Sequence, residues 1–365
     1  MQLSCLPHDK TFETPFVLLC LFLVLSCSFL ARFLFFFARF SPRSLTKFSI
    51  RDIILNKIFI GGIPLQIIFK QLSILYIFLL VGWLIGTLKK DKAPHSDIIS
   101  VLLVNVFLPC KVFSTFANNV TVSYLSNHAI LLLSSVIVLA ILVLISHFVP
   151  KLLTKNTYER KVYAYSVAIT NYAYLGYALI EAVFGESILA EFMLFAIPFI
   201  FYTYTVGYVM LTGGKNPVKR LLNPITVAIV IGLVFGLCEW KLPDMLTTVV
   251  SSASSCVGPL SMLLTGITLS TFALKDLLSN KTAYIFSALR LVMIPAVAYF
   301  ICRGARLDWL APMVLIITCM PCGLNTIVFP KLIGEDCKPG ARLALITHVF
   351  SLITLPCWLS LIQLQ

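Results

Sequence analysis

Two long apolar stretches of this chain are each interrupted in the middle, and the two interruptions occupy matching places. One covers residues 170–176 (TNYAYLG) and the other residues 320–325 (MPCGLN), so that 154 residues separate Asn171 from Asn325. Backbone that leaves the helix inside a membrane is costly unless it lines a cavity or is buried in protein. Paired interruptions in two halves of a chain are typical of the binding site of a secondary transporter. The sequence therefore predicts that the two breaks together hold a ligand.

The composition is that of an integral membrane protein. The chain is 59% hydrophobic and 12% charged, with a mean hydropathy of +0.97, whereas about 25% of the residues of a soluble domain are charged. The net charge of +13 is spread over short loops and does not form one stripe, which argues against nucleic-acid binding. Most of the 11 cysteines lie in apolar runs, where they behave as small hydrophobic side chains. We therefore expect no disulfide framework.

Ten apolar runs after residue 70 have the length of membrane spans. They cover residues 72–89, 98–117, 129–149, 161–182, 188–211, 223–239, 245–273, 282–302, 309–332 and 341–362. The loops after odd-numbered spans hold fifteen Lys and Arg residues, and the loops after even-numbered spans hold three. The positive-inside rule places the odd loops in the cytoplasm, and hence the N- and C-termini of the ten-helix core outside the cell membrane.

The alternation of basic residues between loops after odd-numbered and even-numbered spans also predicts the fold class. Each half has five spans, an odd number, so the second half must insert upside down relative to the first. We predict an all-α polytopic membrane protein with ten transmembrane helices, arranged as a 5+5 inverted repeat in which helices 4 and 9 are broken and cross. Residues 65–214 would form the first five-helix repeat and residues 215–365 the second.

Residues 1–64 do not fit this arrangement. Residues 15–38 are apolar enough for an eleventh span, but the six cations between Arg39 and Lys70 would then lie outside, where they are disfavoured. No methionine occurs between Met1 and Met193, and Gly61-Gly62 is what a ribosome-binding sequence would encode. Our hypothesis is that residues 1–64 are an untranslated extension and that the protein begins near Leu65, from a TTG start codon.

Several short motifs resemble the auxin efflux carrier family, which comprises PIN-like carriers and their bacterial relatives. In order along residues 68–362 they are 80–86 (LVGWLIG), 106–113 (VFLPCKVF), 171–176 (NYAYLG), 223–224 (NP), 258–260 (GPL), 265–269 (TGITL), Met320-Pro321 with Asn325, and 333–335 (IGE). A bacterial-type member would have spans 4 and 9 crossing beside a mobile substrate domain and a scaffold domain. The resemblance implies a carboxylate substrate, because bacterial relatives are thought to carry malonate or malate and plant relatives export auxin. The chain departs from the family pattern at Lys111 and in residues 319–322 (CMPC).

The predicted substrate site combines the residues of the two breaks with one cation inside a span: Asn171, Tyr172, Gly176, Pro321, Asn325 and Lys111. The two asparagines can offer amide donors and an acceptor from broken helices, and the N-termini of half-helices favour an anionic group. The alternative is that the asparagines only cap the broken backbone.

Ionisable residues inside spans are functional-site candidates by default. Lys111 follows the proline kink of span 2 and could pair with a substrate carboxylate, or its side chain could extend to the interface. Arg290 in span 8 has the same two interpretations. His348 in span 10 is a candidate for proton coupling because histidine titrates near neutral pH, although a structural hydrogen bond would also account for it. We expect Glu181 and Glu186 to be solvated at the outer end of span 4.

The sequence carries no catalytic signature. The motifs HExxH, GxSxG and Walker A are absent, so we predict no enzyme activity. Cys319 and Cys322 have a redox or metal spacing, but a βαβ context and a second ligand pair are lacking, so we predict neither a cofactor nor a metal.

We therefore predict a secondary active transporter that moves a small organic anion across the cell membrane by alternating access. The alternative is a membrane-embedded sensor or regulatory subunit that binds its ligand without moving it. The predicted partners are the substrate and the lipid bilayer, with no nucleic acid. The oligomeric state stays open, with a homodimer as one candidate.

Overall fold

The computed structural model describes residues 65–88, 94–214 and 220–362, and nearly all of these residues are helical. In chain order the helices are α1 (Leu65–Leu88), α2 (Asp97–Asn119), α3 (Val122–Leu153), α4 (Thr157–Ala168), α5 (Tyr172–Phe184), α6 (Glu186–Thr212), α7 (Pro224–Leu237), α8 (Asp244–Ser270), α9 (Leu274–Leu278), α10 (Lys281–Gly304), α11 (Ala311–Cys319), α12 (Asn325–Lys331) and α13 (Lys338–Leu359). The proposed extension 1–64 and the basic residues at 89–92 and 215–219 lie outside the described ranges.

Seven of these helices, α1, α2, α3, α6, α8, α10 and α13, are long and apolar enough to cross a membrane. The described part of the chain is therefore an all-α, multi-pass membrane protein. The other three predicted spans correspond to shorter helices. One is α7, which has 14 residues. The other two are the pairs α4–α5 and α11–α12, and in each pair one of the interruptions separates the two helices.

Asparagine caps define where three of the helices begin. The side-chain oxygen of Asn156 accepts from two amides in the first turn of α4, and Asn223 and Asn280 do the same for α7 and α10. Such caps satisfy backbone donors that have no partner within the helix. Pro224 follows Asn223 at the first helical position, where its missing N–H costs nothing.

The first break is shorter than the sequence predicts. Helix α4 ends at Ala168, and residues 172–176, which we expected to be unwound, form a wide π-type turn at the start of α5. The cause is visible in the backbone, because the carbonyl of Asn171 accepts from both Leu175 N at 3.3 Å and Gly176 N at 3.0 Å. Wide turns of this kind occur often at functional sites.

Two helix pairs pack closely through glycines. Helix α1 lies on α8 at Gly82, where an added Cβ would fall 2.2 Å from the carbonyl oxygen of Leu263. Helix α7 lies on α2 at Gly236, where a Cβ would fall 2.5 Å from the carbonyl oxygen of Val120. Both glycines belong to a GxxxG pattern, at 82–86 and 232–236, which lets backbones approach closely in membranes.

The best-buried helices surround the two breaks. Most of α13 and nearly all of α11 are buried, whereas α3 exposes a row of large apolar side chains that includes Leu133, Ile137 and Leu144. A helix that is apolar all round and mostly exposed faces lipid. The breaks thus lie inside the protein, as unwound backbone in a membrane requires.

Candidate functional site

The two breaks lie against each other. Thr170 and Cys322 form an isolated antiparallel bridge, and the amide of Asn171 donates to the carbonyl of Pro321 at 2.8 Å. The amide of Cys322 donates to the hydroxyl of Thr347 in α13 at 3.0 Å. Backbone groups released from one helix are therefore satisfied by the other break and by α13, which is what buried polar backbone needs.

A partly open cavity lies at this crossing. About 480 Å³ of space free of atoms lies there, a figure that includes open solvent at its mouth. Its wall is formed by Leu108 and Val112 of α2, residues 170–174 and Tyr177 of the first broken stretch, Ile200, Thr203 and Tyr204 of α6, Ile225 of α7, and residues 323–325 of the second break. None of these lining residues carries a charge, so the polarity of the wall comes from amides, hydroxyls and backbone.

The structure brings three of the predicted site residues, Asn171, Tyr172 and Asn325, into the wall of this one cavity. Pro321 and Gly176 contribute differently. The Pro321 carbonyl joins the two breaks, and the Gly176 amide closes the wide turn on Asn171. Both residues therefore shape the backbone of the site.

Asn171 is paired with His348. The side-chain nitrogen of Asn171 lies 3.0 Å from Nε2 of His348, whose Nδ1 lies 2.7 Å from the carbonyl oxygen of Ala344. Because a carbonyl can only accept, Nδ1 carries the proton of the neutral ring and Nε2 accepts from the asparagine amide. This arrangement commits one N–H of the Asn171 amide to His348, which leaves the second N–H and the oxygen Oδ1 for other partners.

Tyrosines supply most of the other polar groups. The amide of Asn325 donates to the hydroxyl of Tyr165 at 3.1 Å. Tyr177 lines the cavity, and its buried hydroxyl has no hydrogen-bond partner among the described residues. The sequence analysis missed Tyr165 and Tyr177, and the density of tyrosines between residues 158 and 177 was the signal that could have found them.

Lys111 has a protein partner that the sequence did not reveal. The Lys111 side chain is 5% exposed and forms an ion pair with Glu181 of α5. The expectation that Glu181 is solvated was therefore wrong, since its side chain is 32% exposed and engaged with Lys111, whereas Glu186 is exposed. Lys111 itself does not line the cavity, although its neighbours Leu108 and Val112 do.

Cys319 and Cys322 are both buried and free. Within the described ranges, no group of three or more His, Cys, Asp or Glu residues is placed to hold a metal ion.

A multi-pass helical protein whose two broken stretches meet at a partly open cavity has the architecture of a membrane transport protein. The sequence matches the family model for membrane transport proteins in two overlapping stretches, residues 67–219 and 210–359, so the chain belongs to that family. This match confirms the resemblance to auxin efflux carriers. The chain is also 27% identical, over 314 residues, to an uncharacterized transporter of Methanocaldococcus jannaschii. The aligned part covers 81% of this chain and 98% of that protein.

Proposed function

We propose that this protein is a secondary active carrier of a small organic anion, a carboxylate, and that it works by alternating access. The observation that carries the proposal is the cavity between the breaks, whose wall includes Asn171, Asn325 and Tyr177, and the buried Tyr177 hydroxyl has no hydrogen-bond partner in the described part of the chain. A buried donor without a partner costs free energy. A ligand rich in acceptor oxygens would satisfy it.

The preference for an anion follows from the charges around the cavity. The wall contains no carboxylate among its lining residues, and its residues 172–174 form the first turn of α5. The amides of a first helical turn have no partner within the helix and carry the positive end of the helix dipole. A carboxylate therefore suits this cavity better than a cation of the same size.

For the fold we propose ten spans in a 5+5 inverted repeat, supported first by the ion pairs. Lys331 pairs with Asp97 at 2.7 Å, Lys338 with Asp276 at 3.9 Å and Arg342 with Glu159 at 3.5 Å. All six residues belong to, or border, loops that the parity of basic residues assigns to the cytoplasm. His128 and Glu191, 3.7 Å apart, belong to the opposite set of loops. Loops assigned to one side of the membrane thus contact one another.

The glycine contacts give a second, independent support for the repeat. An inverted repeat equates span 1 with span 6 and span 2 with span 7. Exchanging the halves converts the contact between α1 and α8 (spans 1 and 7) into the contact between α7 and α2 (spans 6 and 2). The GxxxG patterns of α1 and α7 are therefore equivalent features.

We propose His348 as the residue that couples binding to protons, and we retain Lys111 as a contributor of positive charge to the substrate. His348 is buried and holds the amide of Asn171, so its protonation state controls which atom of that amide faces the cavity. Lys111 could exchange Glu181 for a substrate carboxylate, because Glu181 belongs to α5, the helix that begins in the cavity wall.

A thermal-shift screen tests the substrate class. Malonate and malate should raise the unfolding temperature of the purified protein, because ligands that bind the folded state stabilise it by about 2.7 kcal/mol at 100 times Kd. Malonamide, the neutral analogue of malonate, should not. Two results would contradict the proposal. One is stabilisation by malonamide, and the other is the absence of stabilisation by malonate, malate and every other carboxylate tested.

Two tyrosines provide a matched pair of variants for the same screen. Tyr177→Phe removes a hydroxyl of a residue in the cavity wall, whereas Tyr163→Phe removes one that is also buried without a partner among the described residues but belongs to a residue outside the wall. We expect Tyr177→Phe to weaken binding about fivefold, the effect of one hydrogen bond of about 1 kcal/mol. Tyr163→Phe should leave binding unchanged.

Uptake of labelled malonate into proteoliposomes then separates a carrier from a sensor that only binds.

A further inference from the structure

Arg290 is the largest fully buried side chain of the described residues, and none of the ion pairs found among them includes it. It lies in α10 within a wide π-type turn, residues 289–293, just before Pro295. The ring of Pro295 cannot coexist with a regular helical bond to the carbonyl of Leu291. That carbonyl instead accepts from the indole N–H of Trp358 at 2.7 Å. The proline and the tryptophan thus fix the turn that holds Arg290.

The guanidinium of Arg290 binds the carbonyl ends of two half-helices. Its Nε donates to the carbonyl of Ser166 at 3.0 Å, in the last turn of α4. Its terminal nitrogens donate to the carbonyls of Thr318 and Ile317, the latter at 3.5 Å, in the last turn of α11. The last four carbonyls of a helix have no partner within it and carry the negative end of the dipole. One planar fork therefore satisfies carbonyls from both helices that end at the breaks.

The position is one that an exchangeable cation could occupy. In transporters with broken helices, unwound carbonyls and the C-terminal ends of half-helices commonly coordinate a coupling ion. Here a covalently attached guanidinium occupies the equivalent space between α4 and α11. It lies one residue behind the cavity wall, since Thr170, which lines the cavity, donates to the same Ile317 carbonyl at 3.2 Å.

We propose that Arg290 is the fixed cation of the crossing. It holds the ends of α4 and α11 together, positions the two breaks, and takes the place of a bound alkali ion. An ordinary buried arginine that stabilises the fold would have no specific relation to the breaks. The two interpretations differ in their prediction for the second break. If Arg290 positions the break, removing the guanidinium should expose the break residues, and guanidinium supplied from solution should bury them again.

The wild-type protein gives the first test, which needs no transported substrate. With Arg290 in place, the unfolding temperature should be the same in sodium chloride as in choline chloride of equal concentration. A saturable stabilisation by sodium ions would show that an exchangeable cation still binds, and would overturn the proposal.

Arg290→Ala gives the second test, read by maleimide labelling of individual cysteines. Cys319 directly precedes the second break and Cys322 lies within it. Both are buried in the wild type, and we expect both to react at least tenfold faster in the variant. Guanidinium chloride at low millimolar concentration should restore their protection, while the exposed Cys238 reacts equally throughout. Arg303→Ala, which removes a half-exposed arginine of the same helix, should change neither thiol. Unchanged labelling in Arg290→Ala, or no protection by guanidinium, would overturn the proposal.

Arg290→Lys keeps the assay decisive if the alanine variant does not fold. Lysine retains the charge but not the planar fork, so it cannot bind carbonyls of both helices in the same way. We expect intermediate labelling of Cys319 and Cys322 and a lower unfolding temperature. A lysine variant that is indistinguishable from the wild type would show that the guanidinium fork is not required.

Discussion

The side-chain amide of Asn171 donates to Nε2 of His348 over 3.0 Å, although 177 residues separate them along the chain. Protonation of His348 would turn Nε2 into a donor that faces the NH₂ group of Asn171. The amide would then have to rotate, placing its oxygen on His348 and its NH₂ group in the cavity. Proton binding would thus release both N–H groups of Asn171 from His348 for the cavity, which favours an anion.

Because two ligands that favour the same state strengthen each other's binding, we predict that malonate binds more tightly as the pH falls from 6 to 4. His348→Gln should remove the part of this dependence that comes from the protein. Calorimetric titration at several pH values measures it, and the variant's profile accounts for the titration of malonate itself. His128→Gln is the control, since His128 is partly exposed and pairs with Glu191 away from the cavity. Identical pH profiles in the wild type and His348→Gln would contradict the role.

Sequence reasoning located the breaks because their causes are local. Pro321 and Gly323 stand two residues apart, and the two residue types that least favour a helix interior together predict a break there. The spacing of Asn171 and Asn325 along the chain predicted that they meet at one site. The predicted extent of the first break was less accurate. The wide turn at 172–176 forms because the amides of Leu175 and Gly176 share the carbonyl of Asn171. Local patterns do not determine which atoms meet across the fold.

The pair Lys111–Glu181 and the contacts of Arg290 illustrate this limit. Each joins residues that are far apart in sequence, 70 positions in the first case and 124 between Arg290 and Ser166. A single sequence shows that a buried charge needs a partner but not which residue provides it. The tyrosine hydroxyls were missed for the same reason.

Lys111→Met should weaken malonate binding at least tenfold. It removes a positive charge from α2, the helix whose residues Leu108 and Val112 line the cavity. Glu181→Gln provides the informative comparison. It frees Lys111 from its partner, so it should bind malonate as tightly as the wild type or more tightly. The double variant should fold well, since no charge is left unpaired, yet bind weakly. Normal binding by Lys111→Met would leave the lysine as a structural partner of Glu181.

The orientation can be checked by labelling cysteines introduced one at a time into a chain whose accessible cysteines have been replaced. Positions 155 and 275 should react only from the cytoplasmic side, and position 241 only from outside. A reporter after Gln365 should also be outside. These expectations follow from the fifteen-to-three bias of basic residues. A cytoplasmic C-terminus would contradict the ten-span topology.

Asn171→Ala and Asn325→Ala should each weaken malonate binding by about 1–3 kcal/mol, the cost of leaving a buried polar partner unsatisfied. Both residues line one cavity, so the two losses should not add in the double variant. Calorimetry on the four proteins of the cycle measures the coupling. Additive losses would indicate two separate sites, and no loss at either position would indicate that the asparagines only cap their helices.

Pro321→Ala is the most direct test of the breaks. Alanine favours helix by about 3 kcal/mol over proline in a helix interior, so α11 should extend toward α12 and withdraw the Pro321 carbonyl from the Asn171 amide. We expect a folded protein that no longer transports malonate into proteoliposomes. Changing Gly323 to alanine as well would confuse the result, because its Cβ would lie 3.2 Å from the carbonyl oxygen of Thr170 and push the breaks apart.

Pro198→Ala is the matched control for this variant. It also replaces a proline inside an apolar helix, but α6 continues through Pro198 without interruption. Its transport should remain close to that of the wild type, and circular dichroism should show that helix content rises no more than in Pro321→Ala. If Pro321→Ala still carries malonate at the normal rate while its break is demonstrably helical, the interrupted backbone is not what binds the substrate.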